Sequence, residues 1–183
     1  MTKVNFLFKI LLVGFSDVGL KSFRYNFQRD SNIDADVKEL SSTGEYGIFG
    51  LDNWTMIFSL DNFKIKTVFW EPSLEQRHAN LISLFYSEAV GSIFIYDITR
   101  KETLYNLEKY VQDIKKQEPN SVLLLLGNKK DLQNQRKISF EEGKIFAEKY
   151  DFYNFEEVTL LEKGVLNPII YDFVRKIHNI TRK

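Results

Sequence analysis

"LLLLGNKKDL", residues 123–132, is the stretch that decides the fold. Four leucines in a row, with Val122 before them, carry no amphipathic period and match a strand buried on both faces. The run ends at Gly127, and Asn128, Lys129, Lys130 and Asp131 follow at once. Polar side chains at the carboxyl end of a buried strand sit where open α/β sheets take their ligands. A carboxylate accepts two hydrogen bonds, an amide can tie loops together, and a lysine stem can lie along a flat ring. The alternative reading is a plain polar turn.

Working outward, the chain alternates between strand and helix patterns. Leu7 to Val13 is an apolar run ending at Gly14, and it predicts a buried strand. Behind it, Gly14 and Gly19 stand five apart, followed by Leu20, Lys21 and Ser22, with a helix predicted from Ser22 to Gln28. Residues 29–47 are polar and read as a long loop. Trp54 to Leu60 and Phe63 to Trp70 flank the turn pair Asp61-Asn62, which predicts a hairpin. Pro72 is expected to open a helix. Ser92 to Tyr96, Ser121 to Leu126 and Tyr153 to Val158 read as further strands. Leu104, Leu107, Val111 and Ile114 recur at helical spacing, as do Val165, Ile169, Ile170, Phe173, Val174 and Ile177. Ser139 with Glu142 three residues on is a capping-box signature for a helix through Tyr150. The pattern predicts one α/β domain over residues 1–183. Its sheet is doubly wound, mostly parallel and six-stranded, with one antiparallel hairpin strand. The motifs then fall on three loops at the carboxyl edge, residues 14–22, 70–77 and 127–131.

Composition narrows the function. The chain has 183 residues, with 25 basic and 25 acidic side chains and a pI near 6.8, so nothing announces a nucleic-acid surface. There is no cysteine, hence no disulfide, thiolate metal site or thiol catalysis. His78 and His178 have no partner at ligand spacing, and no metal site is expected. The longest aliphatic run, Val122 to Leu126, is too short to cross a bilayer. A soluble, cytoplasmic protein is expected.

The Asn128-Lys129-Lys130-Asp131 segment resembles the guanine-specificity motif of the Ras superfamily, Asn-Lys-x-Asp. There a carboxylate accepts hydrogen bonds from guanine that adenine cannot offer. "VFWEPSLEQRHANLISLFYSEAVGSIFIYDIT", residues 68–99, is similar without a gap to the Rab-type stretch from Trp-Asp-Thr-Ala-Gly-Gln-Glu-Arg-Phe to Val-Tyr-Asp-Ile-Thr. Trp70, Arg77, Leu81, Tyr86, Ala89, Gly91 and Tyr96 to Thr99 all fit. "RKISFEEGKIFAEKYDF", residues 136–152, resembles the Rab segment that leads to the last strand. The resemblance spans essentially the whole chain and implies a Rab-like small GTPase domain. It points to Gly14, Gly19, Lys21, Ser22, Asn128, Lys129, Asp131 and Thr159 as residual nucleotide-binding positions, with GDP or GTP as the ligand.

The departures from the family are concentrated where phosphate and magnesium would be. The phosphate-clamping lysine position holds Leu20, and the magnesium-binding hydroxyl position holds Lys21. Asp17 replaces a small residue. The switch threonine aligns with Ile48, the magnesium-supporting aspartate with Glu71, the phosphate-facing glycine with Leu74, and the water-orienting glutamine with Glu75. Of the Ser-Ala-Lys loop that also touches guanine, only Thr159 remains. Phosphoryl transfer depends on positioning and charge neutralisation, so the joint loss implies absent or very slow hydrolysis, no catalytic residue, and magnesium binding in doubt. A helix beginning one residue later would let Lys21 and Ser22 reach in.

Two readings stay open. In one, a pseudo-GTPase acts through protein contacts, with apolar Leu20, Leu74 and Ile48 filling the pocket and guanine-nucleotide binding weak or absent. In the other, a GTP-binding switch of vesicle traffic hydrolyses slowly. Both imply protein partners around residues 40–80, at the hairpin and its flanking switches. Trp54 and Trp70 read as core packing or as an exposed patch for such a partner. Rab-type proteins are lipidated on C-terminal cysteines. With none here, contact with endomembranes is expected only through partners unless a lipidated tail lies beyond this sequence.

Overall fold

The computed structural model describes residues 4–30, 51–72, 74 and 85–182. Along the chain run β1 (Phe6–Gly14), α1 (Leu20–Asp30), β2 (Leu51–Leu60), β3 (Phe63–Pro72) and β4 (Ala89–Asp97). Then follow α2 (Glu102–Tyr105), α3 (Leu107–Gln117), β5 (Val122–Asn128), a 3-10 turn (Lys130–Gln135), α4 (Phe140–Lys149), β6 (Asn154–Glu157) and α5 (Leu166–Thr181). The six strands form one sheet in the order β2-β3-β1-β4-β5-β6. Every neighbouring pair is parallel except β2 with β3, which is the expected hairpin. Leu60 pairs with Phe63 across Asp61-Asn62, and Asp61 takes φ 52 to close so short a turn.

The aliphatic strands are buried on both faces, as their lack of period predicted. Leu124 and Leu126 join one apolar cluster, with Phe23 and Phe27 of α1 and Ile170, Phe173 and Ile177 of α5. Leu123 and Leu125 join the other, with Leu104, Leu107, Val111 and Ile114. The period-two geometry of a strand thus divides one leucine run between two helical layers. The first cluster is rich in aromatics: Trp54 stacks on Phe69 with centroids 4.1 Å apart and planes 9° from parallel. Trp54 is fully buried, so it belongs to the core and not to an exposed patch. Trp70 is half-buried, with the Lys9 ammonium 4.9 Å from its ring centre.

Several boundaries differ from expectation. Helix α1 starts at Leu20, two residues before Ser22, and runs through residues 29 and 30 of the predicted loop. Gly19 can serve as its cap because its carbonyl accepts from the Phe23 N–H at 2.8 Å. Pro72 ends β3, where it faces Leu51, and the helical stretch expected behind it lies outside the described residues. A missing N–H is tolerated at a strand end as readily as in a first helical turn. The stripe from Leu104 to Ile114 is divided at Asn106, whose φ and ψ remain helical, so all four apolar residues stay buried. The capping box of α4 is complete: the Glu142 N–H donates to Ser139 Oγ at 3.1 Å, and the Ser139 N–H to Glu142 Oε2 at 2.7 Å. Among the described residues no helix is long and apolar enough to cross a membrane.

Candidate functional site

Parallel strands deliver their carboxyl ends to one edge of the sheet, and the loops after β1, β3 and β5 meet there around a cleft of about 770 Å³. Asn128, the last residue of β5, is buried. Its Nδ2 donates to the Val18 carbonyl at 2.7 Å, and its Oδ1 accepts from the Leu160 N–H at 3.0 Å. One amide therefore straps the glycine loop after β1 to the loop after β6, as the residue type allowed. Gly19, with φ 112, lies against this strap: a Cβ there would stand 2.4 Å from Asn128 Nδ2. Both the backbone angle and the close approach require glycine.

Lys129 takes φ 67 and turns the chain out of the strand. Its ammonium pairs with Asp97 Oδ2 at 2.7 Å. Asp97 is fully buried and also accepts from the Thr99 N–H, the Thr99 hydroxyl and Arg100 Nε. Burial pushes its carboxyl up, but the donors outweigh that and hold it below the usual range. Arg100 continues to the Ser16 carbonyl at 2.8 Å, so the same carboxylate steadies the glycine loop from a second side.

Asp131 is exposed at the cleft wall, and its carboxylate has no hydrogen-bond or ion-pair partner among the described residues. Its own N–H donates to Thr159 Oγ1 at 3.0 Å. Thr159 thus braces Asp131 from behind and does not line the cleft. Leu161 lines the rim with 73% of its surface exposed.

The other end of the cleft is different. Because α1 begins directly behind Gly19, the later helix start that would bring Lys21 and Ser22 one place back does not occur. Leu20 is half-buried and packs against the aromatic core beside Gly14, to which a Cβ would bring it within 3.1 Å. Lys21 is exposed on the cleft wall, and Ser22 lines it half-buried. Leu74 lies half-buried against the second core layer. Leu20 and Leu74 both line the cleft, and each also packs against one of the two core clusters, so among the described residues they form part of its walls. Ile48 and Glu75 lie outside the described residues.

Glu71 is buried near the end of β3, where the Trp54 indole N–H donates to its Oε1 at 2.7 Å. Burial pushes its carboxyl up to about 7, and Asp52 adds to this, while the Trp54 bond, Arg24 and Lys21 pull it back. Arg24 is committed to Asp52 at 2.6 Å, joining α1 to β2. These residues do not fit a magnesium ion. The hydroxyl position carries an ammonium, and the nearby carboxylate is occupied by an indole, whereas magnesium takes oxygen ligands in tight octahedral array.

Sequence reasoning did not foresee the Asp97 hub, the Trp54–Glu71 bond or the Arg24–Asp52 bridge. Asp97 alone left a signal, since a hydroxyl residue two places on is the spacing of a side chain capping its own turn.

The family model described as the Ras family matches residues 9–179. The chain belongs to the Ras family. Within it, the chain is similar to the Ras-related protein RABA1c of Arabidopsis thaliana, 31% identical over 180 residues, covering 98% of this chain and 79% of that protein. It is similar to the Ras-related protein RIC2 of Oryza sativa subsp. japonica, at 30% identity over 98% of this chain and 78% of the relative. The Ras-related protein Rab11A of Lotus japonicus is 29% identical over 99% and 76%. This is a Rab-like member of the Ras superfamily of small GTPases, and its cleft lies where the expected motifs converge.

Proposed function

We propose that this Rab-like chain binds a guanine nucleotide in the cleft, hydrolyses it very slowly or not at all, and acts in vesicle traffic through protein contacts at the hairpin and the segments around residues 40–80. The observation that carries the reading is the Asp131 carboxylate, unpartnered among the described residues, on the wall of a cleft whose far end carries Leu20 and Lys21 at the lysine and hydroxyl positions. Asp131 accepts from the two adjacent N–H donors of guanine. Asn128 holds the loops on which base and phosphate rest. The Lys129 stem, anchored at its ammonium by Asp97, is available to lie beside the base. The glycine loop and the first N–H groups of α1 offer donors to phosphate.

Hydrolysis needs further groups. The family position of the water-orienting side chain is Glu75, outside the described residues, while Glu71, near the end of β3, is held by the Trp54 indole. The position of the phosphate-clamping lysine is apolar. The nucleotide-free scaffold is the second reading, and it turns on Leu20 and Leu74, which line the cleft and also pack on the two core clusters.

Two measurements test the proposal. Extraction of the purified protein followed by chromatography is expected to yield GDP or GTP, or the washed protein to take up GDP in preference to ADP. A single-turnover assay is expected to show no magnesium-dependent GTP hydrolysis above the buffer blank. Equal affinity for ADP and GDP overturns the guanine assignment. A rate ordinary for small GTPases, abolished by chelation, overturns the hydrolytic part.

A further inference from the structure

A bound diphosphate brings more than one negative charge into a cleft that also contains Asp17 and Asp131. Some cation must answer it. Two of the described residues lining the cleft are basic, Lys21 and Lys129. Lys129 is already paired with the buried Asp97 at 2.7 Å. Arg24, one turn along α1, is paired with Asp52, and Arg100 with Asp97 and the Ser16 carbonyl. Lys21 is exposed, lies in the first turn of α1, and has no ion-pair or hydrogen-bond partner among the described residues. Glu71, a carboxylate on the same cleft whose charge it favours, is buried and accepts from the Trp54 indole.

We infer that the Lys21 ammonium is the resident cation for the nucleotide's phosphates, standing in place of both the missing lysine and a divalent metal, so that guanine nucleotide binds without magnesium. The inference rests on the proposed guanine-nucleotide binding. A lysine carries three donors on a flexible stem, so it can follow phosphate oxygens that a fixed hydroxyl would reach only through a metal. Its placement one residue behind the usual lysine position puts it on the helix turn whose N–H groups face the same anion. The apolar Leu20 then has a structural task, closing the core beside Gly14, while its neighbour carries the charge.

The test is calorimetric titration of GDP into the protein, once with magnesium and once with EDTA. The dissociation constant is expected to agree within about twofold between the two. Lys21→Ala is expected to weaken GDP about ten- to hundredfold in both buffers, the value of a charge-assisted contact, and Lys21→Arg to retain most of it. The melting temperature without ligand should not change in either variant, because the side chain is exposed. Leu20→Lys with Lys21→Ser, which restores the family's pair, is expected to bind GDP in magnesium and to lose it on chelation. A wild-type affinity that falls tenfold or more in EDTA overturns the inference and assigns the phosphate to a metal. An unchanged affinity in Lys21→Ala overturns it equally. GDP binding in none of these conditions removes the proposed function itself, an outcome distinct from failure in EDTA alone.

Discussion

At one end of the cleft Asn128 is buried and bonds two other loops; at the other, Lys21 is exposed and bonds none among the described residues. The base end is preorganised. Asn128, Thr159, Lys129 and Asp97 form a connected set that holds Asp131 in place before any ligand arrives. The other end offers the exposed Lys21 ammonium and the backbone N–H groups of the first turn of α1. Interactions that must be ordered on binding cost conformational entropy that preorganised ones do not. On the proposed reading, the difference teaches that recognition of the base and handling of the phosphate are separable in this fold.

The strongest way to break this comparison is to cut the strap. Asn128→Ala leaves the Val18 carbonyl and the Leu160 N–H without their buried partner, which costs about 2–4 kcal/mol of stability. The melting temperature should fall by about 5–12 °C for a domain of this size, and guanine binding should be lost with it. A fall below about 2 °C would mean that the strap does not preorganise the base end.

Asp131→Asn separates binding from stability. The carboxylate is exposed and unpaired among the described residues, so melting should be unaffected. GDP should bind more weakly by about 1.5–3 kcal/mol, with preference shifting toward xanthine nucleotides, which present an acceptor where guanine has an amine. Competition titration with both bases reads the result.

Glu71 sharpens the other side. Its carboxyl titrates near 7 in the folded protein against 4.5 for an ordinary glutamate. The folded state therefore holds this proton more tightly than the unfolded chain. Its contribution is most favourable below about pH 4.5 and is lost as pH rises through 7. Glu71→Gln keeps an acceptor for Trp54 and removes the titration. At pH 8 it should stabilise by about 1–3 kcal/mol, with little gain at pH 5, as thermal melts at the two pH values would reveal.

Leu161→Ser is the smallest test. A rim side chain 73% exposed contributes little burial, so stability should move by less than about 0.5 kcal/mol. A larger loss would place the rim within the core of the base end.

The sequence made the strands and the hairpin legible because burial on two faces and period-two alternation leave direct marks. Leu123 to Leu126 could be nothing but a two-faced strand once its neighbours were read. Asn128 and Asp131 were legible for a like reason, since their spacing follows a strand end. The start of α1 was not, because Leu20 and Lys21 are both good helix formers and only the Gly19 carbonyl bond fixes the first turn. Trp54 reads as an apolar residue in any pattern. That its indole N–H would reach Glu71, seventeen residues on, depends on the pairing of β2 with β3, which places Asp52 opposite Glu71 and Trp54 opposite Phe69. Asp97 reads in the sequence as part of a motif, yet its three partner side chains come from two loops that only the folded sheet brings together.

The order of strands has a bearing on how the chain is made. β1 is made first and lies inside the sheet, between β3 and β4. Its partners run from Ile65 to Trp70 on one side and from Ala89 to Ile95 on the other. During synthesis, the Leu7–Val13 segment therefore waits with an open ladder on both edges until Ile95 has emerged, on the order of 5–20 seconds at ordinary elongation rates. A seven-residue stretch rich in leucine and isoleucine-type side chains, with Lys9 its single charge, is in that interval a target for holdase chaperones and for pairing with another nascent copy. Lys9 lies where it interrupts the apolar run while the ribosome is still working and later finds the Ser87 carbonyl at 2.8 Å and the face of Trp70.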